Sequence, residues 1–418
     1  MKTMLLISDS YPPVINSASH LMYELANGLR ARGYDVVVAT SYPKHYLSSG
    51  DQSKKFDEFA IEESIKIIRI KTLPLHKVNF IVRGIAQITL PYLFTSKIKH
   101  YLYRLHGSKG NVDVVVVYSP PLPLAIVGAK VKKFFGAKFL LNVQDLFPQN
   151  AVDLGILRNA ILIKFFEMIE RNAYENADVV TFHSEGNLRF VSNKHASLMN
   201  RFRVLHNWID VDEFDGFTTT GLFRQKFGLK NKFIMLYAGV MGPSQGLDFV
   251  IELAKKVKDL EEMCFLLVGD GIQKDDLERR AKEFRLDNVL FKSFISKAEY
   301  PLLVKDCDVG LVSLTSKNKT PVVPGKILGY MAAGIPVLAF LNKESDGHLM
   351  IKQARCGYSS LWGDLKEGEA LIRKIYAERD RLLELGRSGY YYVKENFNKD
   401  KIINELLQII NFDGQCSL

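Results

Sequence analysis

Pro321-Val322-Val323-Pro324-Gly325-Lys326-Ile327-Leu328-Gly329-Tyr330-Met331-Ala332-Ala333-Gly334-Ile335-Pro336-Val337 carries a turn, a helix and the start of a strand in one short run. Pro324-Gly325 makes the turn, Lys326 stands at the helix start, and Gly334 closes the helix before a strand opens at Val337. A cation at that end reinforces the positive pole of the helix dipole, whereas it would stabilise the helix only at the far end. Lys326 is thus ill placed for stability and well placed for a diphosphate.

The same alternation extends in both directions. Strand candidates in the rear half are Phe233 to Ala238, Cys264 to Val268, Val289 to Phe291, Val309 to Leu314 and Val337 to Phe340. Those in the front half are Met4 to Ser8, Asp35 to Ala39, Ile65 to Ile70, Asp113 to Tyr118, Lys138 to Val143 and Asp178 to His183, with amphipathic helical segments between them. The pattern predicts α/β architecture with two doubly wound, Rossmann-like domains, each carrying ligand loops at the carboxyl ends of its strands. Length agrees, since 418 residues at ~150 per domain need two or three cores. The Asp/Gly/Thr-rich stretch Asp210 to Gly221 breaks the alternation, so the domains run 1–206 and 222–397 about a linker at 207–221. A helix within 398–418 packs back on the first domain.

An apolar share of 47% with 24% charged residues excludes a disordered or collagenous chain. Cys264, Cys307, Cys356 and Cys416 are far apart and form no CxxC pair, which fits a reduced cytosol and neither a disulfide framework nor a zinc site. The apolar run Met4 to Ile7 is too short for a signal-peptide core, and no stretch reaches the ~18 uninterrupted apolar residues of a spanning helix.

The net charge of +10 lies entirely in the front half, where residues 1 to 205 hold 26 basic and 16 acidic side chains. Residues 64 to 112 contribute nine cations, from Lys66 to Lys109, without one acid. Leu73, Phe80, Ile81, Ile88, Tyr92 and Tyr103 are among the apolar side chains interleaved with them. This combination suits an anionic membrane interface, where each near-surface Lys or Arg adds about 1 kcal/mol. Alternatively the apolar residues are core and the cations a solvated face. Single-stranded nucleic acid uses similar residues, but no nucleic-acid motif accompanies them and no such partner is expected.

Ser8-Asp9-Ser10-Tyr11-Pro12-Pro13 follows the first strand where a dinucleotide dehydrogenase would place G-x-G-x-x-G, and a P-loop is also missing. The rear half instead offers Gly239-Val240-Met241-Gly242-Pro243-Ser244-Gln245-Gly246 after its first strand, a turn whose amides could hold a phosphate or simply enter a helix. Gly269-Asp270-Gly271 ends the next strand and permits close ligand approach or a tight turn. The D-x-D pairs Asp210/Asp212 and Asp306/Asp308 sit at a chain reversal and a strand start, and no metal is expected.

These motifs, with Val143-Gln144-Asp145-Leu146-Phe147-Pro148 and Asn207-Trp208-Ile209-Asp210, resemble the retaining family 4 glycosyltransferases of GT-B fold, especially those building bacterial O-antigen or capsule. The likeness is strongest to the subgroup of L-fucosamine-type transferases that use UDP-sugars. It implies two domains facing a cleft, a nucleotide sugar in the second and an acceptor in the first. Gly242, Gln245 and Gly246 would touch the diphosphate, with Gly325 and Lys326 completing its site. Gly269, Asp270 and Gly271 with Phe294 and Ile295 would flank the nucleobase. The chain departs from the family twice. It lacks the Arg and Lys common in the first turn, and it has Pro321 and Gly329 in place of two glutamates, the second of which binds ribose.

Family members keep the anomeric configuration through attack from the face of the departing phosphate, which takes the acceptor proton. Lys326, Asp145 and His183 are the catalytic candidates; Asp145 could instead cap a helix, and His183 could be a structural strand-end residue. Asp9, Asn16, Ser17 and Ser19 are acceptor-binding candidates, with helix capping at Ser17 as the rival role. His206 and Asn207 are candidate hinge or cleft contacts. The expected activity moves an N-acetylhexosamine-type sugar from UDP to a polyprenyl diphosphate-linked glycan on the inner face of the cell membrane, peripherally and from the cytoplasm. A UDP-sugar 2-epimerase and a non-catalytic subunit of the same fold are the alternatives.

Overall fold

The computed structural model describes residues 1–44, 47, 51, 53–73, 80–106, 111–215 and 219–411. Lys77, Lys109, residues 216–218 of the expected linker and residues 412–418 lie outside the described residues, as do the side chains of Phe80, Ile81 and Arg83. The chain forms two compact units. The first comprises Met1–Val152, Leu157–Asn207 and the chain from Asp400 on, and the second Asp153–Ile156 with Trp208–Lys399.

Runs of Val, Ile and Leu that are buried at every residue form the centre of the first unit, as they must where helices cover both faces of a parallel sheet. Its strands are β1 (Thr3–Ser8), β2 (Asp35–Ser41), β3 (Phe59–Glu62), β4 (Ile65–Ile70), β5 (Val114–Ser119), β6 (Lys138–Val143), β7 (Val179–Phe182) and β8 (Phe202–Val204). They lie in the order β3-β4-β2-β1-β5-β6-β7-β8, with only the β3–β4 pair antiparallel. Strand order reverses at β1 and β5, so the crevice that receives ligands in such sheets opens beyond Ser8 and Ser119.

The second unit holds β9 (Phe233–Ala238), β10 (Met263–Val268), β11 (Val289–Lys292), β12 (Val309–Ser313), β13 (Val337–Leu341) and β14 (Gly357–Leu361). These six strands are all parallel, in the order β11-β10-β9-β12-β13-β14. Alternate residues of β9 serve opposite faces: Ile234 and Leu236 enter one core, while Phe233, Met235 and Tyr237 enter the other. The order reverses at β9 and β12, which puts the switch point at Gly239 and Leu314. Trp208, Val211 and Phe214, from the stretch read as linker, are buried with this unit.

The final helix, Lys399–Asn411, buries Ile402, Ile403, Leu406 and Ile410. From Asp400 it belongs to the first unit. It lies so close to the helix Ser17–Ala31 that a Cβ at Gly28 would stand 2.3 Å from Ile403 Cδ1. Arg32 donates to Asn404 Oδ1 at 2.8 Å and to the Asp400 carboxylate at 2.9 Å.

The basic stretch 64–112 is less exposed than its sequence implies. Lys66 pairs with Asp35 at 2.8 Å, Arg69 with Glu62 at 2.6 Å, and Lys71 and Lys97 with Glu58 at 3.0 and 2.8 Å. These cations are therefore opposed by acids from outside the segment or at its edge, and the two lysines hold the Glu58 carboxyl down at about 2. In the helix Phe80–His106, Leu90, Phe94, Tyr101 and Leu102 are buried in the first core, while Ile88, Tyr92 and Tyr103 remain exposed.

Candidate functional site

Three loops converge beyond the switch point of the second sheet. The first leaves β9 at Gly239, runs through the 3-10 turn Pro243–Gln245, and enters the helix Leu247–Lys256 through Gly246, whose φ of 57° is left-handed. No side chain caps that helix; of its first amides, Phe249 N bonds back to Gly246 O at 3.2 Å, and an uncapped helix start favours an anion. The second loop, Gly269 to Gly271, is locked against the first. Met241 N donates to Asp270 O at 2.8 Å, and a Cβ at Gly269 would stand 1.9 Å from Gly239 O. A Cβ at Gly271 would stand 2.3 Å from Met241 O. Both glycines have φ near +150° (151° and 153°), so the close approach they permit is made by the neighbouring backbone.

The third loop supplies Lys326, the first residue of the helix Lys326–Ala332. Its chain crosses Gly239, where a Cβ would meet Lys326 Cε at 2.7 Å. Nζ donates to Gln245 Oε1 at 2.9 Å and lies 4.9 Å from the centre of the Tyr237 ring. The Tyr237 hydroxyl is 3.0 Å from the same Oε1 and 2.6 Å from Val240 O. Lys326 makes no ion pair among the described residues, although surrounding protein strips its ammonium of water and pushes its pKa down to about 8. A desolvated cation without a carboxylate is costly unless an anion completes it. Gly325, just before it, has an ordinary φ of −59° and nothing within 4 Å of a built Cβ.

The other candidates of this unit are less engaged. Asp270 is exposed, with its carboxylate accepting from Gly271 N at 2.8 Å. Phe294 is 40% exposed beyond β11, whereas Ile295 packs against the core. At Gly329, where the resemblance places a ribose carboxylate elsewhere, a Cβ would point at Tyr300 Oη from 3.0 Å. The D-x-D acids serve the fold: Asp306 accepts from the amides of Thr220, Gly221 and Phe223, Asp308 from Ile234 N and Arg224, and Asp210 from Lys399.

In the first unit, polar side chains gather at the ends of β1, β6 and β7. Asp9 accepts from Ser41 Oγ at 2.5 Å. Asn16 donates to Ser10 Oγ at 3.0 Å and accepts from Ser19 N at 2.8 Å. The cap of the first helix is therefore Asn16 and not Ser17, which is exposed; Ser19 is buried. Asn207 donates to Gln144 Oε1 at 2.7 Å, and Gln144 to Asn142 Oδ1 at 2.5 Å. His183 is buried, its Nε2 lies 2.7 Å from Asn187 Nδ2, and its carbonyl is 3.0 Å from His206 Nδ1. With Asn187 donating, that Nε2 is occupied as an acceptor.

Asp145 differs from these neighbours. It caps no helix, because the next one starts at Gln149, and its carboxylate makes no side-chain hydrogen bond among the described residues. Its surface is open, yet the crowding of protein around it raises its pKa by desolvation.

Sequence reasoning missed Tyr237 and Trp362. Tyr237 carried a signal, as an aromatic residue just before a glycine-rich turn. Trp362 carried none; it donates Nε1–H to Gly246 O at 2.8 Å from more than a hundred residues away.

Residues 18–208 match the family described as "Glycosyl transferase 4-like domain" and residues 220–382 the one described as "Glycosyl transferases group 1". The chain is 26% identical over 329 residues to "Probable glycosyltransferase WbjE" of Pseudomonas aeruginosa, covering 78% of this chain and 79% of the other. It is 24% identical to "Putative colanic acid biosynthesis glycosyl transferase WcaI" of Escherichia coli (strain K12), covering 79% and 81%. Among solved structures, sucrose-phosphate synthase from Thermosynechococcus elongatus superposes with a TM-score of 0.75 at 17% identity, over 98% of both chains. Anabaena Alr3699/HepE in complex with UDP-glucose gives 0.68 at 16%, over 98% of this chain and 100% of that one. The fold is GT-B.

Proposed function

We propose that this chain, a glycosyltransferase whose residues 18–208 and 220–382 match the 4-like and group 1 families, transfers a sugar from UDP to a lipid-linked glycan in cell-surface polysaccharide assembly. The observation that carries the donor half of this reading is the Lys326 ammonium, desolvated, without a carboxylate, and set beside the uncapped helix Leu247–Lys256. Breaking the anomeric C–O bond to UDP leaves negative charge on the β-phosphate. Lys326 and the amides of Gly242, Ser244 and Leu247 neutralise that charge, and the Gln245 carboxamide releases Nζ to the incoming phosphate. A UDP-glucose complex of the HepE structure supports UDP as the carrier.

The acceptor lies at the strand ends of the first unit, where Asp145 orients its hydroxyl. That oxygen bonds to the anomeric carbon on the face the phosphate leaves, and its proton passes to a β-phosphate oxygen. Configuration is retained and no metal takes part. His183, with Nε2 engaged by Asn187, shapes the acceptor loop and does not touch the proton. The polysaccharide role of WcaI supports a glycan acceptor, whose polyprenyl diphosphate would hold the enzyme to the inner membrane face. Among the described residues no helix is long and apolar enough to cross a membrane.

The decisive experiment incubates the protein with a panel of UDP-, GDP- and dTDP-sugars and follows melting temperature, then repeats it with Lys326→Met. UDP compounds should raise the wild-type midpoint and leave the variant nearly unmoved. An equal rise in both proteins would remove Lys326 from the donor site.

A further inference from the structure

The helix Ala160–Asn176 is apolar on both sides of its first half, the pattern of a buried helix, yet one of those sides is exposed. Its inner side meets the protein through Phe166, whose ring lies 4.9 Å from that of Phe147, and through Ile169 in the first core. Its outer side shows Ile161, Leu162 and Met168 to solvent, 78%, 48% and 54% exposed, with Phe165 half-buried between them. Spacings of four and three residues put Ile161, Phe165 and Met168 on one stripe, with Leu162 at its edge three residues before Phe165.

The surroundings are positive. Lys164 on the same helix, and Lys130 and Lys133 on the neighbouring helix Leu124–Phe135, are exposed and make no ion pair among the described residues. The nearest acid on the outer turns, Glu167, is bound to Lys194 at 3.2 Å. The whole excess of positive charge lies in this half of the chain. Apolar insertion beside uncommitted lysines is the chemistry of an anionic bilayer surface, and it matches no neutral or cationic partner.

We propose that Ile161, Leu162, Phe165 and Met168 enter the acyl boundary of an anionic phospholipid bilayer while Lys130, Lys133 and Lys164 meet its headgroups. This rests on the membrane-held acceptor of the preceding section and relocates the contact from residues 64–112, where four cations are paired and much of the apolar surface is core. Through the Phe147–Phe166 ring contact this helix packs against the loop that carries Asp145.

The full chain should sediment with vesicles of phosphatidylglycerol and phosphatidylcholine and much less with phosphatidylcholine alone. Ile161→Asp combined with Met168→Asp should lower the partition coefficient at least tenfold, with the melting temperature unchanged. Leu383→Asp, an 80% exposed leucine of the second unit, should leave binding intact. A tryptophan substituted at Ile161 should shift its emission to the blue on vesicle addition. Binding that survives the double substitution overturns this inference alone. Wild-type protein that stays in the supernatant overturns it together with the membrane-held acceptor. Loss of a dimer instead of vesicle binding assigns the stripe to a second copy and also overturns it. Failure of UDP to shift the melting temperature would strike the donor reading and leave the vesicle result to be read independently.

Discussion

The two units build their candidate sites from different materials. The second builds its candidate site from backbone: three glycine-bearing loops press on one another and a single ammonium lies across them. The first builds its own from side chains, a cluster of amides, hydroxyls, an imidazole and one open carboxylate at the strand ends. A backbone cradle suits a group common to every nucleotide sugar, the diphosphate. A side-chain cluster can be rewritten residue by residue, which suits acceptors that differ between enzymes.

The contrast breaks most directly at Lys326. Replacement by Ala should cut turnover at least tenfold through lost stabilisation of the leaving phosphate, measured as UDP release; a near wild-type rate would mean the charge acts nowhere in the reaction. Next come two glycines that differ in backbone conformation, φ 151° at Gly269 against −59° at Gly325, and in what surrounds them. Gly269→Ala forces a Cβ onto Gly239 O and should lower stability by roughly 1–3 kcal/mol in urea titrations. Gly325→Ala meets nothing and should leave stability within about 0.5 kcal/mol, while weakening UDP binding if phosphate approaches there. Equal stability losses would dissolve the distinction between a glycine kept for packing and one kept for ligand.

Asp145→Asn should slow transfer to the acceptor severalfold and leave the UDP-induced melting shift untouched. A change in UDP binding instead would take Asp145 out of the acceptor role. The smallest effect concerns pH. Lys326 is charged below about 8 and neutral above it, so UDP affinity should fall as pH rises through that value. Lys326→Met should flatten the profile, and calorimetric titration at several pH values reads both.

Much of this was legible beforehand because β-branched runs buried on both faces announce themselves. Phe59–Glu62 and Phe202–Val204 did not, being short strands at the sheet edge, and Gly357–Leu361 is only partly buried, so its apolar signal is weak. Lys326 and the Gly239 loop were visible for a related reason: a lysine on the wrong end of a helix and clustered glycines violate local preference. The purpose of Gly269 and Gly271 was not visible, since sequence cannot say whether a glycine makes room for a ligand or for another loop. The charge of residues 64–112 misled because its counterions lie outside the window, Glu58 and Glu62 just before it and Asp35 on a neighbouring strand. The apolar stripe at Ile161 went unremarked because a core helix has the same composition.

The return of the last helix has a bearing on biogenesis. Ile402, Ile403 and Leu406 cover a face of the first unit that includes Gly28, although nearly four hundred residues are synthesised between them. The helix Ser17–Ala31 is therefore made with one flank uncovered, and that flank stays open until the helix Lys399–Asn411 has been synthesised and covers it.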